Sequence, residues 1–239
     1  IDFRMQPNAV RVIRELRRAG SPKKAKLLAR FFRTGKGEYG EGDVFAGVMV
    51  PESRKIAKRN QNISFSEIQK LLSSPIHEAR LIALLILVWK FEHGNASIRA
   101  HIYHFYLSHS TRVNNWDLVD LSAHKIVGEH LVNRSREPLY RLAKSKNLWE
   151  KRIAIISTFA FLRRGEWRDS IRISEKLLDD PHDLIHKAVG WVLREVGKQC
   201  SESALERFLK AHGHHMPRTA LRYAIERFPE KKRRRYLTK

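Results

Sequence analysis

Apolar residues in this chain recur with the helical period of about 3.6 and almost never with the two-residue period of a half-buried strand. That pattern predicts an all-α fold. Helices are expected to begin after Pro7, Pro22, Pro51, Ser64, Pro75, Asn95, Asn114, Ser135, Asn147, Glu166, Asp180, Ser201, Pro217 and Pro229. Most of these positions hold Ser, Asn, Asp or Pro. The polar side chains accept from the unpaired N–H groups of a first helical turn, and proline lacks an N–H that would have no partner there. The starts also resemble one another. Ser74-Pro75-Ile76-His77-Glu78-Ala79-Arg80-Leu81, Asn147-Leu148-Trp149-Glu150-Lys151-Arg152-Ile153-Ala154, Asp180-Pro181-His182-Asp183-Leu184-Ile185-His186-Lys187 and Pro217-Arg218-Thr219-Ala220-Leu221 each place a basic residue early in a capped apolar helix. With the helix around Trp116 included, the spacing is about 31 to 40 residues with two helices per unit. That is the signature of an α-solenoid of HEAT-like repeats, whose concave face suits an extended partner. Linkers are short, so one repeat domain over residues 1–239 is expected, with a basic tail from about residue 230.

Charge narrows the partners. The chain carries 47 Lys and Arg against 25 Asp and Glu, a formal net charge of +22. A polyanion of phosphates is the simplest match, because each neutralised phosphate releases counterions. An acidic membrane surface is the competitor. The longest apolar run, Leu81 to Trp89, is far shorter than the roughly 20 residues of a spanning helix. One cysteine, Cys200, excludes an intrachain disulfide and suits a reducing compartment. The chain begins at Ile1 rather than Met, so a few preceding residues are expected, and it shows no basic-then-apolar signal pattern. A cytoplasmic protein without a membrane partner is expected.

Several motifs lead nowhere. Gly35-Lys36-Gly37-Glu38-Tyr39-Gly40 has the spelling of a dinucleotide fingerprint. It follows a helical stretch, Ala29 to Arg33, where the fingerprint needs a strand, and more loop follows it. Thr34 to Val50 therefore reads as a mobile connector. His182 and His186 stand four apart as in a zinc protease, but Asp183 takes the place of the usual glutamate and no third ligand is evident. His212-Gly213-His214-His215 is a loop cluster, and no metal or cofactor is expected. The tail Glu230 to Tyr236 reads as a solvated end or a phosphate contact.

Three helices each carry an unusual residue that reads either plainly, as core, a solvated surface acid or a contact with the next repeat, or as the lining of a cleft. In Asn114-Asn115-Trp116-Asp117-Leu118-Val119-Asp120 the helix continues to about Leu131, with Val119, Ala123, Ile126, Val127 and His130 as its inward stripe. Trp116 lies at the edge of that stripe and Asp120, one turn on, lies further out. In the helix from Asn147 to Leu162, Arg152 falls inside the apolar arc, so it must snorkel, pair with an acid or face a phosphate; Trp149 reads as core or cap contact. In the helix from His182, Trp191 points about 110° from the stripe of Ile185, Ala188, Val189, Val192 and Val196. Lys187 and Arg194 flank it and are candidate phosphate contacts. Equivalent helices of a solenoid line one surface, so Trp116, Asp120, Arg152 and Trp191 are expected to share a cleft.

At these residues the sequence resembles the DNA alkylation repair family, the AlkD-type alkylpurine DNA glycosylases. The resemblance is carried by Trp116-Asp117-Leu118-Val119-Asp120, by Lys151-Arg152-Ile153-Ala154, by Gly47-Val48-Met49-Val50-Pro51 and most specifically by Lys187-Ala188-Val189-Gly190-Trp191-Val192-Leu193-Arg194-Glu195. It implies a concave groove holding damaged duplex DNA. It also implies hydrolysis of the N-glycosidic bond of cationic N3- and N7-alkylated purines without a metal; a nucleoid-associated location is expected, and a monomer is expected because repeat proteins of this kind are usually complete alone. In that pattern Asp120 corresponds to the catalytic carboxylate, Trp116 and Trp191 to the cleft aromatics and Arg152 to the cleft arginine. Asn115 stands where the family often has an aromatic residue. Two other classes share the basicity and the repeats: a non-catalytic module binding DNA or RNA, which gives no reason for Asp120, and a protein-interaction scaffold, which gives no reason for the charge.

Overall fold

The computed structural model describes residues 8–238. The expected start at Pro7, the leading Ile1 and the final Lys239 lie outside the described residues. The fold is all-α: the described residues hold no strand, only a one-residue bridge between Val44 and Ile76. The chain forms two compact units that divide after Ser122.

The first unit contains α1 (Ala9–Ala19), α2 (Pro22–Phe31), α3 (Val50–Arg59), α4 (Phe65–Leu72), α5 (His77–His93), α6 (Ala96–Ser108), a 3-10 turn at Ser110–Arg112, and most of α7 (Trp116–Ala123). Local chemistry opens these helices. The side chains of Asn8, Ser21, Ser64 and Asn95 accept from the backbone N–H of Arg11, Lys24, Glu67 and Ile98. α5 is apolar nearly all round, and such a helix must be enclosed. Accordingly α1, α3, α4 and α6 all pack on it, and Leu81, Ile82, Leu84, Ile86 and Leu87 are buried.

The second unit opens with a π-helical turn, His124–Gly128, and continues with α8 (Glu129–Leu131), α9 (Glu137–Ala143), α10 (Leu148–Ser157) and α11 (Phe159–Leu162). α12 (Arg168–Lys176), α13 (Asp183–Gln199), α14 (Glu202–His212), α15 (Arg218–Ala224) and α16 (Glu230–Leu237) complete it. α13 is its centre, packed by α10, α12, α14 and α15. The expected tail is the helix α16, fastened by Lys232 to Glu202 and Glu206 and by Arg218 donating to the Leu237 carbonyl at 3.2 Å.

The glycine-rich stretch corrects one expectation. No strand precedes Gly35 and turns follow it, as the rejected fingerprint requires. From Asp43 onward, however, the segment is tied down rather than a loose connector. The Val44 N–H donates to the Pro75 carbonyl at 3.0 Å and the His77 N–H to the Val44 carbonyl at 2.8 Å. The buried carboxylate of Glu78 accepts from the N–H groups of Ala46 (2.9 Å), Gly47 (2.8 Å) and Val48 (3.1 Å). Gly47 has φ +81°, and a Cβ there would lie 2.1 Å from the Ser21 carbonyl oxygen, so no other residue fits. A loop with three successive backbone donors on one buried carboxylate has little freedom left.

No helix among the described residues is long and apolar enough to cross a membrane.

Candidate active-site residues

Trp116 is the first residue of α7, and the inward face of the run is as expected: Val119, Ala123, Ile126, Val127 and His130 are buried. Trp116 itself is half-buried, and so is Asp120 one turn on. The indole stacks on Phe32 (centroids 5.1 Å apart, planes at 23°) and meets the edge of Phe31 at 5.9 Å. Phe31 is 61% exposed, which makes the pair an aromatic ledge open to solvent. Asp120 lies near the buried phenol of Tyr106, which donates to or accepts from Ser122 at 2.9 Å. Burial pushes the Tyr106 phenol up, and the charge of Asp120 adds to that push.

A buried polar cluster underlies the start of α7. The imidazole of His77 bridges two carboxylates, Nδ1 to Asp43 at 3.0 Å and Nε2 to Asp117 at 2.9 Å. Arg80 donates to Asp43 at 2.6 Å and to the Ser74 carbonyl at 2.9 Å. Asn115, fully buried, donates to Asp43 at 3.3 Å and accepts the Trp116 N–H at 2.9 Å. Asn115 thus caps the helix and links its first residue to Asp43. Burial works against a charged His77, but the bonds to Asp117 and Asp43 outweigh it and raise the imidazole to about 9. Burial likewise pushes Asp43 upward, and the His77, Arg80 and Asn115 contacts overcome this and hold it below the usual carboxylate range. Sequence reading missed the cluster. Its one signal was a histidine, a glutamate and an arginine together in the first turn of the most apolar helix, where unpaired polar groups are costly.

In the second unit, Arg152 is only 4% exposed and donates to the Leu184 carbonyl at 2.5 Å. The guanidinium is thus buried against the backbone of α13 and does not snorkel to solvent. Trp149 is core, as expected. Trp191 is half-buried and leans on Phe159, with centroids 4.7 Å apart. Its flanking cations are engaged: Lys187 pairs with Asp183 at 2.8 Å, and Arg194 pairs with Glu195 at 3.1 Å and with Glu226 of the segment after α15. The first pairing was legible as an i, i+4 spacing. The pairing with Glu226 was not, because it joins residues 32 apart in the chain. Trp116 and Asp120 therefore come together in the first unit, and Arg152, Lys187, Trp191 and Arg194 around α13 in the second. Gly190 lets α13 and α15 approach closely, for a Cβ there would lie 2.5 Å from both the Ala220 carbonyl oxygen and the Tyr223 Cβ. Gly190→Ala is expected to cost about 1–3 kcal/mol and to shift Trp191, read as a lower melting temperature and a changed Trp191 emission.

The histidines have local duties. His182 caps α13, its Nδ1 accepting the Leu184 N–H at 3.1 Å, and burial lowers its pKa, which favours the neutral ring that can accept. His186 bonds the Asp180 carbonyl at 2.5 Å. Among the described residues no group of His, Cys, Asp and Glu is arranged to hold a metal ion.

Among solved structures the chain is similar to a predicted DNA alkylation repair enzyme from Enterococcus faecalis, at 15% identity and TM-score 0.66 over 88% of this chain and 97% of that one. It is also similar to AlkD2 from Streptococcus mutans, at 17% identity and TM-score 0.52 over 87% and 98%. These likenesses carry the fold. No curated protein matches the chain. Residues 12–228 match the family described as DNA alkylation repair enzyme, and with that span matched the chain belongs to the DNA alkylation repair enzyme family.

Proposed function

We propose that this protein is a monofunctional glycosylase that hydrolyses the N-glycosidic bond of cationic N3- or N7-alkylated purines in duplex DNA, acting as a monomer without a metal or cofactor. The observation that carries the reading is the half-buried Trp116–Asp120 pair, one turn apart on α7, in a +22 chain of an alkylation repair family. A carboxylate on a phosphate-binding surface repels its ligand unless it has chemical work there.

Alkylation at N3 or N7 gives the purine a positive charge and weakens its bond to the sugar. As that bond breaks, its electron pair leaves with the base, which departs neutral, and positive charge develops on the deoxyribose as an oxocarbenium ion. Asp120 stabilises that ion and orients the water, whose oxygen bonds to the anomeric carbon while a proton is lost to solvent. The faces of Trp116 and Trp191 attract the cationic nucleotide, by about 0.5–2 kcal/mol each. Lys187 and Arg194 are proposed phosphate contacts that exchange their present acidic partners for DNA. A phosphate role for Arg152 requires the same exchange at the Leu184 carbonyl. The sequence motif around Trp116 and Asp120 sets no lysine beside them for Schiff-base chemistry, and the monofunctional assignment rests on that.

Base release from duplex DNA carrying N7-methylguanine tests the proposal directly. Release above the spontaneous rate is expected. Duplex binding is expected to weaken by about 10³-fold between about 50 and 200 mM salt if some six phosphates are neutralised. Tight, salt-sensitive binding with no release would make the chain a non-catalytic nucleic-acid module. Salt-insensitive association with a protein partner would favour a scaffold.

A further inference from the structure

We infer that His77 is a positioning residue: clamped between Asp43 and Asp117, it fixes the first turn of α7 and thereby sets Trp116 and Asp120. The inference rests on the proposed glycosylase reading only for its effect on rate; the geometric part stands apart from it.

Two routes run from His77 to Trp116. The first is polar. His77 Nε2 bonds Asp117, the residue next to Trp116, and His77 Nδ1 bonds Asp43, which Asn115 ties to the Trp116 N–H. The second is aromatic. Phe32 lies 4.9 Å from the His77 ring and 5.1 Å from Trp116, and Phe45 stacks on His77 at 4.6 Å. His77 therefore contacts the loop at Asp43, the stack at Phe32 and the first turn of α7.

The two carboxylates do not depend on His77 equally. Asp43 also has Arg80 and Asn115 as donors. Asp117 is buried, and its second oxygen, Oδ1, has no partner. A doubly protonated imidazole donates to both acids. A neutral ring keeps one N–H, and whichever acid loses its bond is left facing a lone pair. Asp43 survives that loss better than Asp117, so the neutral ring keeps its N–H on Asp117 and turns its Nδ1 lone pair on Asp43, which disturbs the tie that Asn115 carries from Asp43 to the Trp116 N–H. The charged groups facing the ring are Asp43 from the loop, Asp117 from α7 and Arg80 from α5 itself. His77 is held above its ordinary pKa, so the clamp is complete below about pH 6.5 and is lost as pH rises through about 9.

The experiment uses the full chain labelled with 5-fluorotryptophan, the Trp116 fluorine resonance being assigned with Trp116→Phe. Two quantities are followed from pH 6.5 to 10.5 in the wild type, in His77→Gln and in Asp117→Asn: the Trp116 resonance, and the single-turnover rate of N7-methylguanine release corrected for spontaneous loss. In the wild type both are expected to move together with a midpoint near 9. In His77→Gln the resonance is expected to be displaced at every pH. The rate is then about 10²-fold lower and without that alkaline limb, in kcat rather than KM. A moving resonance with no base release by any form would sink the glycosylase reading and leave the positioning role standing. A wild-type Trp116 resonance that stays fixed to pH 10.5 would overturn the inference, and this arm needs no variant to fold. Wild-type rates and pH profiles in both folded variants would overturn it equally.

Discussion

Changing Asp120 to asparagine is expected to slow release of N7-methylguanine by at least about a hundredfold while duplex binding is retained. The substitution keeps shape and removes charge, so it isolates electrostatics. The ground state carries its positive charge on the purine; in the transition state the charge has moved to the sugar. A group that favours the second arrangement over the first acts on kcat, and its loss leaves KM little changed. Asp120 is suited to this because it is half-buried, where water screens its charge incompletely, and lies close enough to the buried Tyr106 for its charge to be felt at the phenol. A hundredfold loss corresponds to about 2.7 kcal/mol of transition-state stabilisation. Single-turnover base release at fixed salt, with binding measured in parallel, gives the answer. If the asparagine variant releases the base at the wild-type rate, Asp120 has no part in the chemistry and the proposed mechanism fails. If binding tightens as the rate falls, the carboxylate was repelling DNA and has a reason to be there.

The split between what was legible in the sequence and what was not follows the range of the interactions. Helix starts were legible because capping is settled within three residues. Ser64, Asn95, Asn147 and Ser201 were expected starts, and each accepts from an N–H of the turn it opens. The buried face of α7 was legible because helical period alone sets it, and a π turn at His124–Gly128 did not disturb it. Asp120 and Trp116 were singled out by their angle to that face, and both are half-buried there. The clamp at His77 joins residues 34 and 40 apart in the chain, and no local pattern predicts such a meeting. The departure at Asn115 was visible but had no meaning until Asp43 was placed beside it. Arg152 was rightly seen as out of place on an apolar arc. That its partner is a backbone carbonyl of α13 could not be read, because carbonyls carry no sequence signature.

Replacing Glu78 with alanine is expected to destabilise the first unit by about 3–5 kcal/mol, with a fall of roughly 10–20 °C in its melting temperature. Glu78 is 1% exposed, and its two oxygens serve three backbone donors of the Ala46–Val48 loop. Alanine leaves those N–H groups without their acceptor, and each unmet buried donor costs about 1–3 kcal/mol. Glu78→Gln separates this account from a simple loss of volume. Oε1 accepts from Gly47 and Val48, and Oε2 from Ala46. A glutamine oriented with its oxygen at the first position keeps two bonds and turns an NH₂ toward the Ala46 N–H, so its cost is expected near that of one unmet donor, about 1–3 kcal/mol. Glu38→Gln and Glu41→Gln serve as controls, for these exposed acids cap only Gly35 and Gly37 and are expected to change stability by under about 0.5 kcal/mol. The loop lies between α2, which supplies Phe31 beside Trp116, and Ile76, whose carbonyl starts α5. Hydrogen exchange at Ala46, Gly47 and Val48 should accelerate in the alanine variant before the rest of α5 opens. A Glu78→Gln variant as stable as the wild type, with Glu78→Ala far less so, would show that filled space, and not the three accepted N–H groups, holds the loop whose Asp43 bonds His77.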